Sequence, residues 1–150
     1  MRALAVVALS VFALNAWSGS GRGDDKKVSI EGNYTLVALE VGGEALPADL
    51  IAKIPADEKV FKITATQIVA SKGGKDDPIN YKLDASKSPY QMDFVEKTDG
   101  KEKKSFGICK IDGDKVIICA VESEKADDRP KEFKSTATNK AIVMTLQKKK

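Results

Sequence analysis

Between Lys104 and Val121, two dense apolar runs flank Asp112-Gly113-Asp114 (KSFGICKI, then KVIICAV). Asp-Gly between alternating hydrophobic residues is a strong hairpin signal, because the turn needs a positive φ that Gly adopts without steric cost. This hairpin holds both cysteines and the densest β-branched run of the chain, so the remaining segments are read against it as further strands.

Those segments repeat the pattern. Gly32-Asn33-Tyr34 opens a strand through Val41, with Tyr34, Leu36 and Ala38 on one face and Thr35, Val37, Leu39 and Val41 on the other. Gly42-Gly43 ends it. Leu50, Ile51 and Ile54 have helical spacing, which predicts one short helix over Ala48–Lys53 that Pro55 stops. Alternation resumes in Lys59–Ala65, in Gln67–Ser71, in Ile79–Leu83 and in Tyr90–Phe94, and Ala141–Gln147 supplies a last strand. About eight short strands joined by tight turns predict an all-β, antiparallel up-and-down barrel, with a sandwich as the other arrangement. A barrel leaves no exposed edge, and eight strands enclose an interior that is either filled or holds one small ligand.

Length and charge narrow the function classes. A chain of 150 residues suits one domain with one core. Its 25 Lys and Arg against 22 Asp and Glu give a net charge of +3, spread with alternating sign. That lacks the basic stripe with interleaved aromatics of a nucleic-acid binder, so no nucleic-acid partner is expected. The closing Lys148-Lys149-Lys150 reads as a solvated tail. With no histidine in the chain, Ser-His-Asp and Cys-His nucleophiles, the commonest general base and His-containing zinc sites are excluded together. Two cysteines cannot build a four-thiolate metal site. No cofactor and no metal are therefore expected.

Met1-Arg2, the apolar run ALAVVALSVFALNAW and the small residues SGSGRG have the layout of a secretory signal peptide. The run is short for a transmembrane helix, which needs roughly 20 residues. The expected organisation is a signal peptide over 1–20, a linker over 21–27 and a barrel domain over 28–148. The mature protein would be exported, without a membrane span, and a monomer.

Several landmarks in this order resemble an uncharacterised exported domain, abundant in planctomycete bacteria and described as lipocalin-like. They are Gly32-x-Tyr34, Tyr90–Phe94, Phe106-Gly107-Ile108-Cys109, Ile111-Asp112-Gly113-Asp114-Lys115, Cys119 and Arg129-Pro130-x-x-Phe133. The resemblance runs from about Lys27 to Lys148 and implies a lipocalin-like barrel without an established activity. Tyr34 stands where that family has Trp, Cys109 where an aromatic is common, and Lys148 near a usual terminal Arg. Lipocalin-type barrels often close one end by packing an Arg on the first-strand Trp, a contact that Tyr34 would weaken.

Candidate sites follow. If Gly113–Lys115 form the loop, Cys109 and Cys119 lie directly opposite, within disulfide reach; with a two-residue Asp-Gly turn, Cys109 instead faces Val116, the bridge is lost and the two are buried free thiols. Arg129, beside Asp127 and Asp128, is either an anion clamp at a barrel mouth or, by the plainer reading, a loop brace with Phe133 docked beneath. The aromatics Tyr34, Phe61, Tyr81, Tyr90, Phe94 and Phe106 either fill the core or line a ligand cavity. Asp112 and Asp114 lack the twelve-residue pattern of a calcium loop. Asp76, Asp77, Asp93, Glu96 and Asp99 could supply a glycosidase pair only if two converged across a cleft.

The leading expectation is a non-enzymatic exported binding protein holding a small apolar or amphipathic molecule inside the barrel. The second is a protein- or envelope-binding module with a filled barrel, and the third a carboxylate-based hydrolase. The first two differ in one observable, an interior pocket of roughly 300 Å³ or more lined by those aromatics.

Overall fold

The structure, a computed structural model, describes residues 27–150. The expected signal segment, and all but the last residue of the linker, lie outside the described residues. Nine strands form one antiparallel sheet: β1 (Gly32–Val41), β2 (Glu44–Ala45), β3 (Val60–Ile63), β4 (Gln67–Lys72), β5 (Lys75–Asp84), β6 (Tyr90–Thr98), β7 (Lys101–Asp112), β8 (Lys115–Glu122) and β9 (Ile142–Lys148). From β3 to β9 each strand pairs with the next; β1 pairs with both β3 and β9, which closes an eight-stranded barrel, and β2 folds onto the far end of β1. The six-residue helix α1 (Ala48–Lys53) and a 3-10 turn, η1 (Ala126–Asp128), complete the regular structure. The all-β barrel and the short helix read from the sequence are what the chain forms. Among the described residues, no helix is long and apolar enough to cross a membrane.

The core is the barrel interior. Tyr34, Leu36, Ile63, Ile68, Tyr81, Met92, Phe94, Cys109, Val116, Ile118 and Leu146 form one buried cluster, sealed at the base by Ile30 from the segment before β1. Met92, Ile118 and Leu146 are fully buried, and burial of each such side chain contributes about 1.5–3 kcal/mol. The base is tied shut by polar contacts as well. The Tyr34 hydroxyl donates to the Ile30 carbonyl at 2.9 Å, and Lys148 Nζ donates to the Glu31 carbonyl at 3.1 Å. Lys148 Nζ also sits 5.9 Å from the centre of the Tyr34 ring, so a lysine and a tyrosine meet where the resemblance implies Arg and Trp.

Two details depart from the alternation read along the chain. In β1 the pairing to β9 skips Val37, moving from Leu36↔Leu146 to Ala38↔Thr145. This β-bulge exchanges the faces, as one extra residue must where the side-chain period is two. Leu39 therefore lies opposite Met144, which packs on the core, and Ala38 moves to the outside. In the hairpin, Asp112 pairs with Lys115, leaving Gly113-Asp114 as the two-residue turn. Gly113 has φ +62, and Asp114 is not among the positive-φ residues, as in a type II′ turn with Gly at its first central position.

That register decides the cysteines. Cys109 pairs with Ile118 and Cys119 with Ile108, so the two side chains point to opposite faces of the sheet. The disulfide considered from sequence is not formed: both thiols are free and buried.

The outer face of the hairpin is covered too. The connection from β8 to β9 crosses it, so that Ile108, Cys119, Ala141 and Val143 form a second buried cluster with Ile117 and Phe133 packed against it. Ser135 fastens this strap: its hydroxyl donates to the Ala141 carbonyl and accepts from the Gly43 N–H, while its own N–H donates to Glu40.

Candidate functional site: a cavity in the upper barrel

The barrel is filled at its base and hollow near its other end. There a cavity of about 230 Å³ is lined by Phe61, Ile68, Ala70, Ile79, Phe94, Glu96, Ser105, Ala120, Ile142 and Met144. The space arises from small residues on inward positions: Ala70 on β4, Ser105 on β7 and Ala120 on β8. Gly107, one inward step below Ser105, lets the Phe94 ring lie against β7; a Cβ there would meet the Cys119 carbonyl oxygen at 2.7 Å and the Phe94 ring at 3.1 Å. Phe94 thus forms the floor of the cavity, over the filled base.

Glu96 is the only charged residue in the lining, and Ser105 is the only other polar one. Both stand near the rim. The Glu96 carboxylate accepts from the Thr98 hydroxyl at 2.9 Å. It has no ion-pair partner among the described residues. The wall is interrupted beside it. The β5–β6 ladder stops at Asn80↔Val95, although β5 extends back to Lys75 and β6 on to Thr98. Continuing the register would set Ile79 against Glu96 and Pro78 against Lys97, and Pro78 has no N–H to offer a ladder. Ile79 and Glu96 therefore flank a gap in the wall and line the cavity behind it.

The aromatics expected in a cavity divide into three groups. Phe61 and Phe94 line it. Tyr34, Tyr81 and Tyr90 point inward but belong to the packed base, where the Tyr81 hydroxyl donates to the Thr64 carbonyl at 2.7 Å. Burial, first of all, raises the pKa of Tyr34 and Tyr81 above the ordinary tyrosine value; the charge of Glu31 adds to it at Tyr81. Phe106 is a correction. It alternates with the inward Ser105 and Gly107, so it lies on the outer surface, its ring centre 5.4 Å from the Arg129 guanidinium. Sequence alternation could not separate the faces of β7, because both are apolar and both are covered.

Arg129 is a brace. Its Nη1 donates to the Met92 carbonyl at 2.8 Å and to the Gly107 carbonyl at 2.7 Å, and its Nη2 donates to Asp93. These bonds tie it to β6 and β7 from outside the barrel, away from the upper cavity, as a loop brace does. Phe133 docks a little further along the strap, under Lys110 Nζ at 4.8 Å from the ring.

The candidate carboxylates are dispersed. Asp93 faces out toward Arg129, Asp76 accepts from the Ser71 hydroxyl, and Glu96 alone lines the cavity. Besides Glu96 and Ser105, the lining residues Ile68, Ala70, Ile79, Ala120, Ile142 and Met144 were not among those expected there; inward parity was the available signal, hidden at Glu96 and Ser105 by their polar character.

A larger hollow, about 700 Å³, lies at the closed end between the segment before β1 and the end of β5. Its walls include the exposed Lys27, Ser29 and Glu31, and it adjoins the point where the described chain begins. Every residue of the upper cavity's lining belongs to a strand. Compared with protein-family models, curated proteins and solved structures, the chain matches none.

Proposed function

We propose that this chain is an exported, non-enzymatic binding protein that holds a small apolar or amphipathic group in the upper half of its barrel. The observation that carries the reading is the cavity itself: strand-enclosed, floored by Phe94, walled by Phe61, Ile68, Ile79 and Met144, and open at a rim that bears two polar groups. Its volume, about 230 Å³, with Phe61 and Phe94 alone of the expected aromatics in its lining, falls short of the interior pocket of roughly 300 Å³ set above as the mark of a carrier. It equals about seven or eight times the volume of a water in the liquid, so the ligand is small or inserts only one end. The signal-like N-terminus supports export, and the order of motifs shared with the planctomycete lipocalin-like domains supports the assignment to that family.

The filled base favours a second reading, in which the barrel is a scaffold whose loops contact another exported protein. Native mass spectrometry of the protein exported by its own or a related host separates the two. A reproducible adduct lost on denaturation supports the carrier and gives the ligand's mass. A clean apo mass, together with no uptake of short-chain amphiphiles added in excess, overturns it in favour of the scaffold.

A further inference from the structure

Resting on the carrier reading, we propose that the ligand class is a short amphipathic cation: an apolar end in the cavity and a protonated amine at Glu96. The cavity is apolar on every wall except at the rim, where Glu96 and Ser105 stand. Glu96 is the one ionisable group bordering that apolar space, and no ion pair holds it among the described residues. Its cross-strand neighbour Lys103 lies 3.8 Å from Glu122 instead. Thr98 supplies Glu96 with one hydrogen bond, which leaves its second oxygen to accept from a ligand. Ser105 can accept a further ammonium proton or donate to a hydroxyl on the same head group.

The gap in the wall fits the same occupant. Since the β5–β6 ladder ends below Ile79 and Glu96, a molecule entering between these strands passes the carboxylate first and the apolar chamber second. A cationic head is held at the gap while the tail goes in. An anionic head meets repulsion at the same point.

The test is isothermal titration of the full chain with hexylamine, hexanol and hexanoate, which share a tail and differ in head group. The expected order is amine, alcohol, acid, with the amine bound about tenfold more tightly than the alcohol, as one charge-assisted hydrogen bond supplies. In Glu96→Gln, whose side-chain oxygen can keep the Thr98 contact, the amine's advantage over hexanol should disappear. Hexanol bound as tightly as hexylamine overturns the cationic assignment and leaves the carrier reading standing. An amine preference that survives in Glu96→Gln also overturns it, because the ammonium then sits elsewhere. If none of the three binds, the carrier reading fails and this inference fails with it.

Discussion

Cys109 shows how strongly the barrel base selects against charge. Burial pushes its thiol from 9.0 up to about 12, because a thiolate there has neither water nor a cation to stabilise it. Between those two values the unfolded chain releases a proton that the folded chain keeps, so folding is stabilised below about pH 9 and loses that stabilisation as pH rises toward 12. The raised tyrosines at positions 34 and 81 act in the same direction, from pH 10 upward. Urea unfolding followed across pH 8 to 11 should therefore show a falling midpoint above about pH 9, less steep in Cys109→Ala; a flat profile in the wild type would contradict the burial of these groups. The neighbouring inward position makes a steric prediction. Gly107→Ala would bring a Cβ to 2.7 Å from a backbone oxygen and 2.9 Å from the Ala120 Cβ, and neither can swing away. It should cost about 1–3 kcal/mol in denaturant unfolding, the range for overpacked cores. Wild-type stability would mean that β7 and β8 sit further apart than the register implies.

At the scale of elements, the middle of the β7–β8 hairpin is buried on both faces, and the strap over residues 123–141 is what covers the outer one. Arg129 is its main fastening: the guanidinium is largely buried, with 13% of the side chain exposed, and it satisfies two strand carbonyls. Removing it takes from each of them a hydrogen bond to a charged donor, worth about 1.5–3 kcal/mol. Arg129→Ala should lower stability by about 2–4 kcal/mol. Arg129→Lys should recover less than half, since an ammonium cannot span both carbonyls and Asp93 with a planar fork. Full rescue by lysine in urea unfolding would show that charge alone holds the strap. The same elements show what the sequence could reveal. Strand positions were legible because alternation and turn residues are local, and α1 because Pro55 and the spacing of Leu50, Ile51 and Ile54 are local too. The face of Phe106 was not, since its cover comes from a segment about twenty-five residues later. The bulge at Val37 carries no Gly or Pro to mark it, and the partner of Cys109 depended on which two residues made the turn. Arg129 reads as a clamp from its neighbours Asp127 and Asp128, yet its partners include main-chain carbonyls, which no side-chain pattern displays.

For the whole molecule, barrel closure fixes which residues face inward, and their sizes then fix how much of the interior remains empty. Tyrosines, Met92 and Cys109 fill the base; Ala70, Ser105 and Ala120 leave the top hollow over the ring of Phe94. A chain selected only for stability would have larger side chains at those alanines, because each added buried methylene contributes about 0.8 kcal/mol. If the hollow is retained for a ligand, filling it should separate stability from binding. Ala70→Leu places an isobutyl group into the cavity from β4. It should raise the unfolding midpoint, by about 1–2 kcal/mol of added burial, and weaken hexylamine or hexanol binding at least tenfold. Lower stability together with unchanged affinity would mean that the space is not available to either a side chain or a ligand, and the barrel would then be a scaffold. A stabilised variant that no longer takes up amphiphiles would show instead that the empty volume is kept at a cost to the fold, as the carrier reading requires.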